Sequence, residues 1–398
     1  MATGVQSAQS SVAVERVRPS LALLALVFVR LGVGAFGGPA MLHYLHKHLV
    51  VRRRWLDDEN FRECLVLAQS VPGPIMMHTS AMIGLKVRGA AGAALAFTCF
   101  ILPGMLLMLA LSAVYMATRT VSHALAVMSG LQVIVVALIL YGLWFFGKNY
   151  ARSWQGLLIA VLSLGLLLLN VSPIWVLLGA AAAGMALFGR DPAGQPAAHN
   201  VEGGGERTAA VVTIGALAAM TAALFWWRRP AAIMALVLMK IDLFAFGGGS
   251  TTVPLLFHEF VTTRGWLTAR MLVDGIALGQ VTPGPIVITA TFVGYVQHGL
   301  IGGLVGTAAI FMPSFALLMI VAPHFARLKR WRYFAAFSKG TMAGTAGLML
   351  FMVLRIGGEV PWSLMRVLLG VATMAALVKR IDTLWVVLAG AAVSWFLF

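Results

Sequence analysis

The sequence predicts an all-α polytopic membrane protein made of two inverted-topology repeats. About six spans form each repeat, one extra span joins them, and each repeat carries a discontinuous helix broken at Pro-Gly-Pro. Three observations predict this. The 398 residues are 60% hydrophobic and only 11% charged, with a mean hydropathy of +0.92, whereas a soluble domain is about 25% charged. The pattern of the first half begins again at Ala231, at an offset of 210 to 211. The number of apolar segments before that restart is odd, so the two copies face opposite ways, as in many secondary transporters.

The formal net charge is +16. The basic residues lie in short runs between apolar segments, where anionic headgroups attract them. Membrane lipid is therefore the expected partner, and nucleic acid is not. Cys64 and Cys99 both fall in apolar stretches and read as packing residues.

In chain order, residues 1–19 form a polar tail, expected to be cytoplasmic and without a signal-peptide cleavage pattern. The first repeat occupies 20–189. Its first span is Ser20 to Gly38. The polar stretch from Met41 to Glu59 reads as an interfacial helix or loop with Trp55 at headgroup level. Asn60 to Lys86 is the broken segment; each half is about 12 residues, or about 18 Å of helix, so only the two end to end would cross. Ala90 to Met116 carries Pro103 and should kink. His123–Phe146, Trp154–Leu169 and Pro173–Phe188 follow. Residues 190–208 are a Gly- and Pro-rich polar linker, and 209–230 hold a connecting span. The second repeat, 231–398, runs through Ala231–Gly249, the broken Met271–Gln297, Leu300–Phe325 with Pro313, Tyr333–Ile356, Trp362–Leu377 and Leu384–Phe398.

The repeat is exact at many positions. Phe36-Gly37-Gly38 meets Phe246-Gly247-Gly248, Gly89 meets Gly299, and Pro103 meets Pro313. Gln69-Ser70-Val71-Pro72-Gly73-Pro74 meets Gln280-Val281-Thr282-Pro283-Gly284-Pro285 one residue out of register. If each broken segment is a crossing, the Lys and Arg residues divide 16 against 9 between the two sides. Turning only these two segments back would nearly erase that bias, so crossing is the expectation. The run Arg52-Arg53-Arg54 then sits on the poorer side, against the rule.

Several residues are candidates for chemistry. Arg30 and Lys240 are intramembrane cations at equivalent depths, each six residues before a Phe-Gly-Gly, and suit an anion centre; Asp242 is close enough to Lys240 in sequence to pair with it instead. Glu63 and Asp274 are matched carboxylates before the breaks, suited either to proton coupling or to a helix N-terminus near the interface. At Pro72-Gly73-Pro74 and Pro283-Gly284-Pro285 a new half-helix begins, whose free N–H groups suit an anion. Gln69, Gln280, Thr79 and Thr289 add hydrogen-bonding groups. Phe36, Gly37, Gly38, Phe246, Gly247 and Gly248 allow close backbone approach or tight packing. His43, His46 and His48 read as surface histidines, so no metal is expected. No cofactor motif and no nucleophile constellation is present, which counts against a membrane-embedded enzyme.

At the Phe-Gly-Gly and Gln-x-x-Pro-Gly-Pro elements of both halves, the chain resembles the chromate ion transporter (CHR) family, of the type with two homologous halves. The resemblance covers nearly the whole chain. It implies an inner-membrane protein that exports chromate and confers chromate resistance, with these elements as the family's motif residues. Sulfate, a near-isostere, is the alternative substrate. A homodimer is compatible with the sequence, which does not itself give the oligomeric state.

Overall fold

The computed structural model describes residues 19–35, 39–118, 121–189 and 204–397. Phe36, Gly37 and Gly38, nearly all of the tail and most of the linker lie outside the described residues. Every regular element is helical. In chain order they are α1 (Leu21–Val33), α2 (Pro39–His46), α3 (Asp58–Ser70), α4 (Ile75–Thr118), α5 (Ser122–Tyr150), α6 (Trp154–Leu168), α7 (Pro173–Phe188) and α8 (Glu206–Trp227). The second repeat gives α9 (Arg229–Leu243), α10 (Gly249–Leu256), α11 (Ala269–Val281), α12 (Thr289–Val321), α13 (Phe325–Arg330), α14 (Arg332–Glu359), α15 (Leu364–Val378) and α16 (Thr383–Leu397). Wider π-turns extend α2 and α10, and a 3₁₀ turn, Ile286–Ile288, leads into α12.

Local chemistry sets the ends. Ser20, Asp57, Ser153, Thr268 and Ser363 each accept a backbone N–H of the helix they precede, which satisfies one of the donors that a helix start leaves unpaired. Gly89 and Gly299 turn sharp corners inside α4 and α12 at φ of 64° and 66°, a backbone region in which side chains other than glycine are rare. After each corner the helix folds back along itself. Gly84 and Gly92 touch across the first corner, and Thr291 and Thr307 share a 2.7 Å hydrogen bond across the second. In a straight helix that second pair would lie about 24 Å apart.

The broken segments therefore do not cross. Lys86, near the end of the arm that follows the first break, donates to Glu63 at 2.6 Å and also to Asn60, both near the start of α3. Two half-helices laid end to end would hold these residues about 35 Å apart. α3 and the first arm of α4 form an antiparallel hairpin with Pro72-Gly73-Pro74 at its tip. α11 and the first arm of α12 match it, with Gln297 bonded to the Trp266 carbonyl at 2.6 Å. α1 and α2 also double back: His46 sits 2.5 Å from Asp58, at the base of the α3 hairpin. Lys240 of α9 likewise reaches Glu259 beyond α10. The physical reason is that each arm is only about 20 Å long and finds its polar base partners by folding back, not by extending.

Trp55 is packed against protein and not against lipid. It is 4% exposed, within the core, and Arg53 stacks over its ring. His43 is exposed and His46 pairs with Asp58; among the described residues no cluster has the makings of a metal site.

The hairpins resolve the basic run that broke the charge rule. The base of the first repeat holds the Pro19 carbonyl against Arg88 at 2.6 Å and Gly204 against Ala90 at 3.1 Å. The far end of α4 carries Tyr115, which bonds Asp274 near the base of the second repeat. The two bases thus lie at opposite ends of α4, which is the inverted arrangement. Among the described residues, one face gathers Lys47, Arg52, Arg53, Arg54, Arg62, Lys86, Arg88, Lys148, Arg152, Arg207, Arg327, Arg330 and, over Phe188, Lys339. The other has Arg228, Arg229, Arg264, Arg270, Arg355 and Arg366. Doubling back both hairpins of each repeat moves the Arg52–Arg54 run onto the basic face, so the charge asymmetry sharpens.

Two outcomes test the hairpins. Cysteines replacing Asp58 and Arg88, both exposed, in a chain lacking Cys64 and Cys99, should react with an impermeant maleimide from the same side of the membrane; a crossing would give opposite sides. Lys86 and Glu63 side chains are only 11% and 19% exposed, so Lys86→Ala should destabilise the fold by about 3 kcal/mol or more, read as a lower thermal midpoint in detergent. Lys86→Ala with Glu63→Ala should recover part of it.

Candidate functional site

The tips of the two hairpins meet mid-molecule, each held by the opposite repeat. The Gly73 N–H donates to the Ala245 carbonyl at 3.1 Å, and the Gly284 N–H donates to the Ala35 carbonyl at 2.8 Å. Ala35 and Ala245 each directly precede a Phe-Gly-Gly. Gly73 and Gly284 have φ of 115° and 118°, so their N–H groups point away from their own helices and need an outside acceptor. The kinked helices complete the exchange. Gly104, after Pro103, abuts the Pro283 carbonyl, and Ser314, after Pro313, packs on Gly73.

The tips differ in their surroundings. Val71, Pro72, Gly73 and Pro74 are all buried. The second tip opens on a cavity of about 300 Å³, lined by Gln280, Thr282, Gly284, Pro285 and Ile286. Ala35, Gly249, Ser250 and Thr383 add to its wall, and Val135, Leu138, Ile139 and Met349 make its apolar side. That volume is at the small end of ligand pockets, with a few converging polar groups on an apolar wall. The polar groups are an amide, three hydroxyls and the backbone at a helix start, a donor-rich set without a carboxylate.

Of the residues singled out in sequence, Gln280, Gly284 and Pro285 line this cavity. Pro283 presses its carbonyl on Gly104. Gln69, the mate of Gln280, is exposed and lies elsewhere. Thr79 and Thr289 are fully buried and donate their hydroxyls to the Ile75 and Ile286 carbonyls. Phe246 stacks on Phe337 at 5.4 Å, and Gly247 and Gly248 take φ of 92° and 70°. The cations do not line the cavity. Arg30 is exposed, near His48 and the Arg52–Arg53 pair. Lys240 pairs with Glu259 at 2.5 Å, and Arg264 approaches the same carboxylate at 3.6 Å. Asp242, the local alternative, is not its partner. Glu63 is engaged by Lys86. Asp274 accepts from Tyr115 at 3.0 Å and Gln132 at 2.9 Å. Phe36, Gly37 and Gly38 lie outside the described residues.

Sequence reasoning missed Ser250, Thr282, Thr383, Asp242, His78 and Ser314. Ser250 and Thr282 adjoin matched motifs and were within reach of that signal. Thr383 is brought in only by the packing of α16 on α5.

An inverted helical repeat with broken hairpins meeting at a central cavity defines the class: a multi-pass membrane transporter, not an enzyme. The chain belongs to the chromate transporter family, whose pattern it matches twice, over residues 22–185 and 232–395. It is 32% identical over 376 residues to an uncharacterized transporter of Methanocaldococcus jannaschii, covering 94% of each chain. A chromate transport protein of Pseudomonas aeruginosa is 32% identical over 339 residues, 81% of this chain and 77% of that one. A chromate transport protein of Cupriavidus metallidurans is 29% identical over 363 residues, 90% of this chain and 88% of that one. No solved structure matches significantly.

The tips give a graded prediction. A Cβ on Gly73 would stand 2.6 Å from the Ser314 hydroxyl and 2.7 Å from the His78 ring, whereas one on Gly284 meets nothing within 4 Å. Both substitutions carry backbone strain of about 1–3 kcal/mol. Gly73→Ala should therefore lower thermal stability well beyond Gly284→Ala.

Proposed function

We propose that the protein is a secondary transporter that exports chromate across the bacterial inner membrane and so confers chromate resistance. The observation that carries this reading is the donor-lined cavity at the second break, at the junction of two inverted repeats. A tetrahedral dianion offers four acceptor oxygens. Gln280, Ser250, Thr383 and the backbone at the start of the 3₁₀ turn supply matching donors, while the Thr282 hydroxyl donates to the Gly279 carbonyl. The basic face, cytoplasmic by the positive-inside rule, concentrates a dianion at the entry side. Arg30, near the Arg52–Arg53 pair, serves this capture and does not touch the bound ion, whereas Lys240 is held by Glu259 toward the opposite face. Transport proceeds as the crossed bonds Gly73–Ala245 and Gly284–Ala35 part and re-form, with Pro103 and Pro313 as the hinges on which the tips ride. Sulfate, with the same charge and geometry, is the second substrate the cavity suits.

Purified protein in liposomes tests the reading. Expected is saturable accumulation of chromate unchanged in redox state, reduced by excess sulfate. Currents without saturation would make it a channel, and reduced chromium would make it an enzyme. Removing a hydrogen bond to a charged ligand costs about 1.5–3 kcal/mol. Gln280→Ala should accordingly raise KM roughly tenfold or more, while Gln69→Ala should leave it unchanged.

A further inference from the structure

Glu63 and Asp274 are both held by partners, but another pair of titratable groups lies at the first break. Asp242, at the end of α9, is 1% exposed. Its Oδ2 accepts the Ser314 N–H at 2.6 Å, while its Oδ1 is buried without a hydrogen-bond partner among the described residues. His78, in the first turn after Pro74, is fully buried, with the Ala68 backbone beside its ring. Ser314 stands between them: its N–H holds Asp242 and its hydroxyl lies beside Gly73, next to the His78 ring. A Cβ placed on Gly73 would lie 2.7 Å from His78 Cε1 and 2.6 Å from the Ser314 hydroxyl. Hydroxyl and imidazole, from α12 and α4, thus flank the tip of the first hairpin, and the Asp242 carboxyl of α9 lies behind Ser314.

Among the described residues no other charge answers Asp242. Lys240, two residues back, is spent on Glu259, which Arg264 also approaches. His258 lies beside that pair. α10 presents Thr251 and Thr252, which bond to the Phe246 and Gly248 carbonyls. α8 carries charge only at its ends, Glu206 and Arg207 at one and Arg228 beyond the other. A buried carboxylate with one oxygen unsatisfied is costly, and a proton on that oxygen removes the charge.

We infer that the two breaks divide the work: the second binds the anion, and the first carries the exchanged proton on Asp242, with His78 as its relay. The inference rests on the transport reading above. With the tips closed, Asp242 holds the proton on Oδ1. When the Gly73–Ala245 bond parts, water reaches the carboxyl and the O–H bond breaks. The proton leaves through His78 to water, and Oδ2 keeps the Ser314 N–H. Re-protonation from the opposite side closes the tip again. The repeat mate of Asp242 is Gly32, which packs on the Phe100 backbone with no room for a side chain. Asp242 therefore has no counterpart at the second break, and the exchange through it is one proton per cycle.

The test is chromate transport by the full chain in liposomes, with and without an imposed pH gradient, at a pH where chromate is the dianion. Wild type should be accelerated by the gradient. Asp242→Asn should lose that acceleration yet keep chromate–chromate exchange without a gradient. Asp242→Glu should keep it with a shifted pH profile, a rescue that a packing role would not give. His78→Gln should slow the gradient response several-fold. Undiminished acceleration in Asp242→Asn, or a wild type that moves chromate without responding to the gradient, overturns the inference. A wild type that moves no chromate overturns the transport reading instead. If the Asp242 variants do not fold, wild type in detergent decides: chromate binding should release about one proton per chain to a pH indicator, by linkage, and no release overturns the assignment.

Discussion

The structure depends on two hydrogen bonds at its centre, Gly73 to Ala245 and Gly284 to Ala35. Each joins the tip of one repeat's hairpin to the chain just before the Phe-Gly-Gly of the other. A backbone N–H in the apolar interior must find an acceptor. At these glycines the acceptor is in the other repeat. The repeats are thus latched at the two places where their helices are broken. Motion of one repeat against the other has to pass through these bonds, which puts the moving contact at the same depth as the cavity.

The latch is symmetric in backbone and asymmetric in side chains. Both tips use the same Pro-Gly-Pro turn and the same kinked-helix support. Around the first, Ser314 and His78 fill the space next to Gly73; around the second, Gly104 replaces Ser314 and a cavity opens past Gly284. Duplication explains the shared frame, and the substitutions since then decide which tip is sealed and which can hold an ion. The same holds for Asp242 and Gly32, one buried acid against one close helix contact.

Charge follows the hairpins. Lys86 with Glu63 and His46 with Asp58 pair at the base of the first repeat, while Arg30, His78, Asp242 and Asp274 lie further along the inward arms. Lys240 pairs with Glu259 part-way along an arm. The two intramembrane cations are therefore consistent with capture or with holding an arm in place, and the cavity wall relies on neutral donors.

The sequence by itself determined the class. Composition, the repeat at 210 to 211 and the paired Phe-Gly-Gly and Pro-Gly-Pro elements specify a helical membrane protein with two inverted halves, because hydropathy and repeat register are local properties of the chain. Gln280, Gly284 and Pro285, which line the cavity, stood out for the same reason. Whether the broken segments cross or turn back was decided by tertiary structure alone. A crossing and a hairpin place the same residues in the same order and differ only in which distant side chains meet, here Lys86 with Glu63. Thr383 on the cavity wall, and the contact of Asp242 with Ser314, became visible only through long-range packing. A position without a repeat mate carries no signal until the elements that surround it are in place.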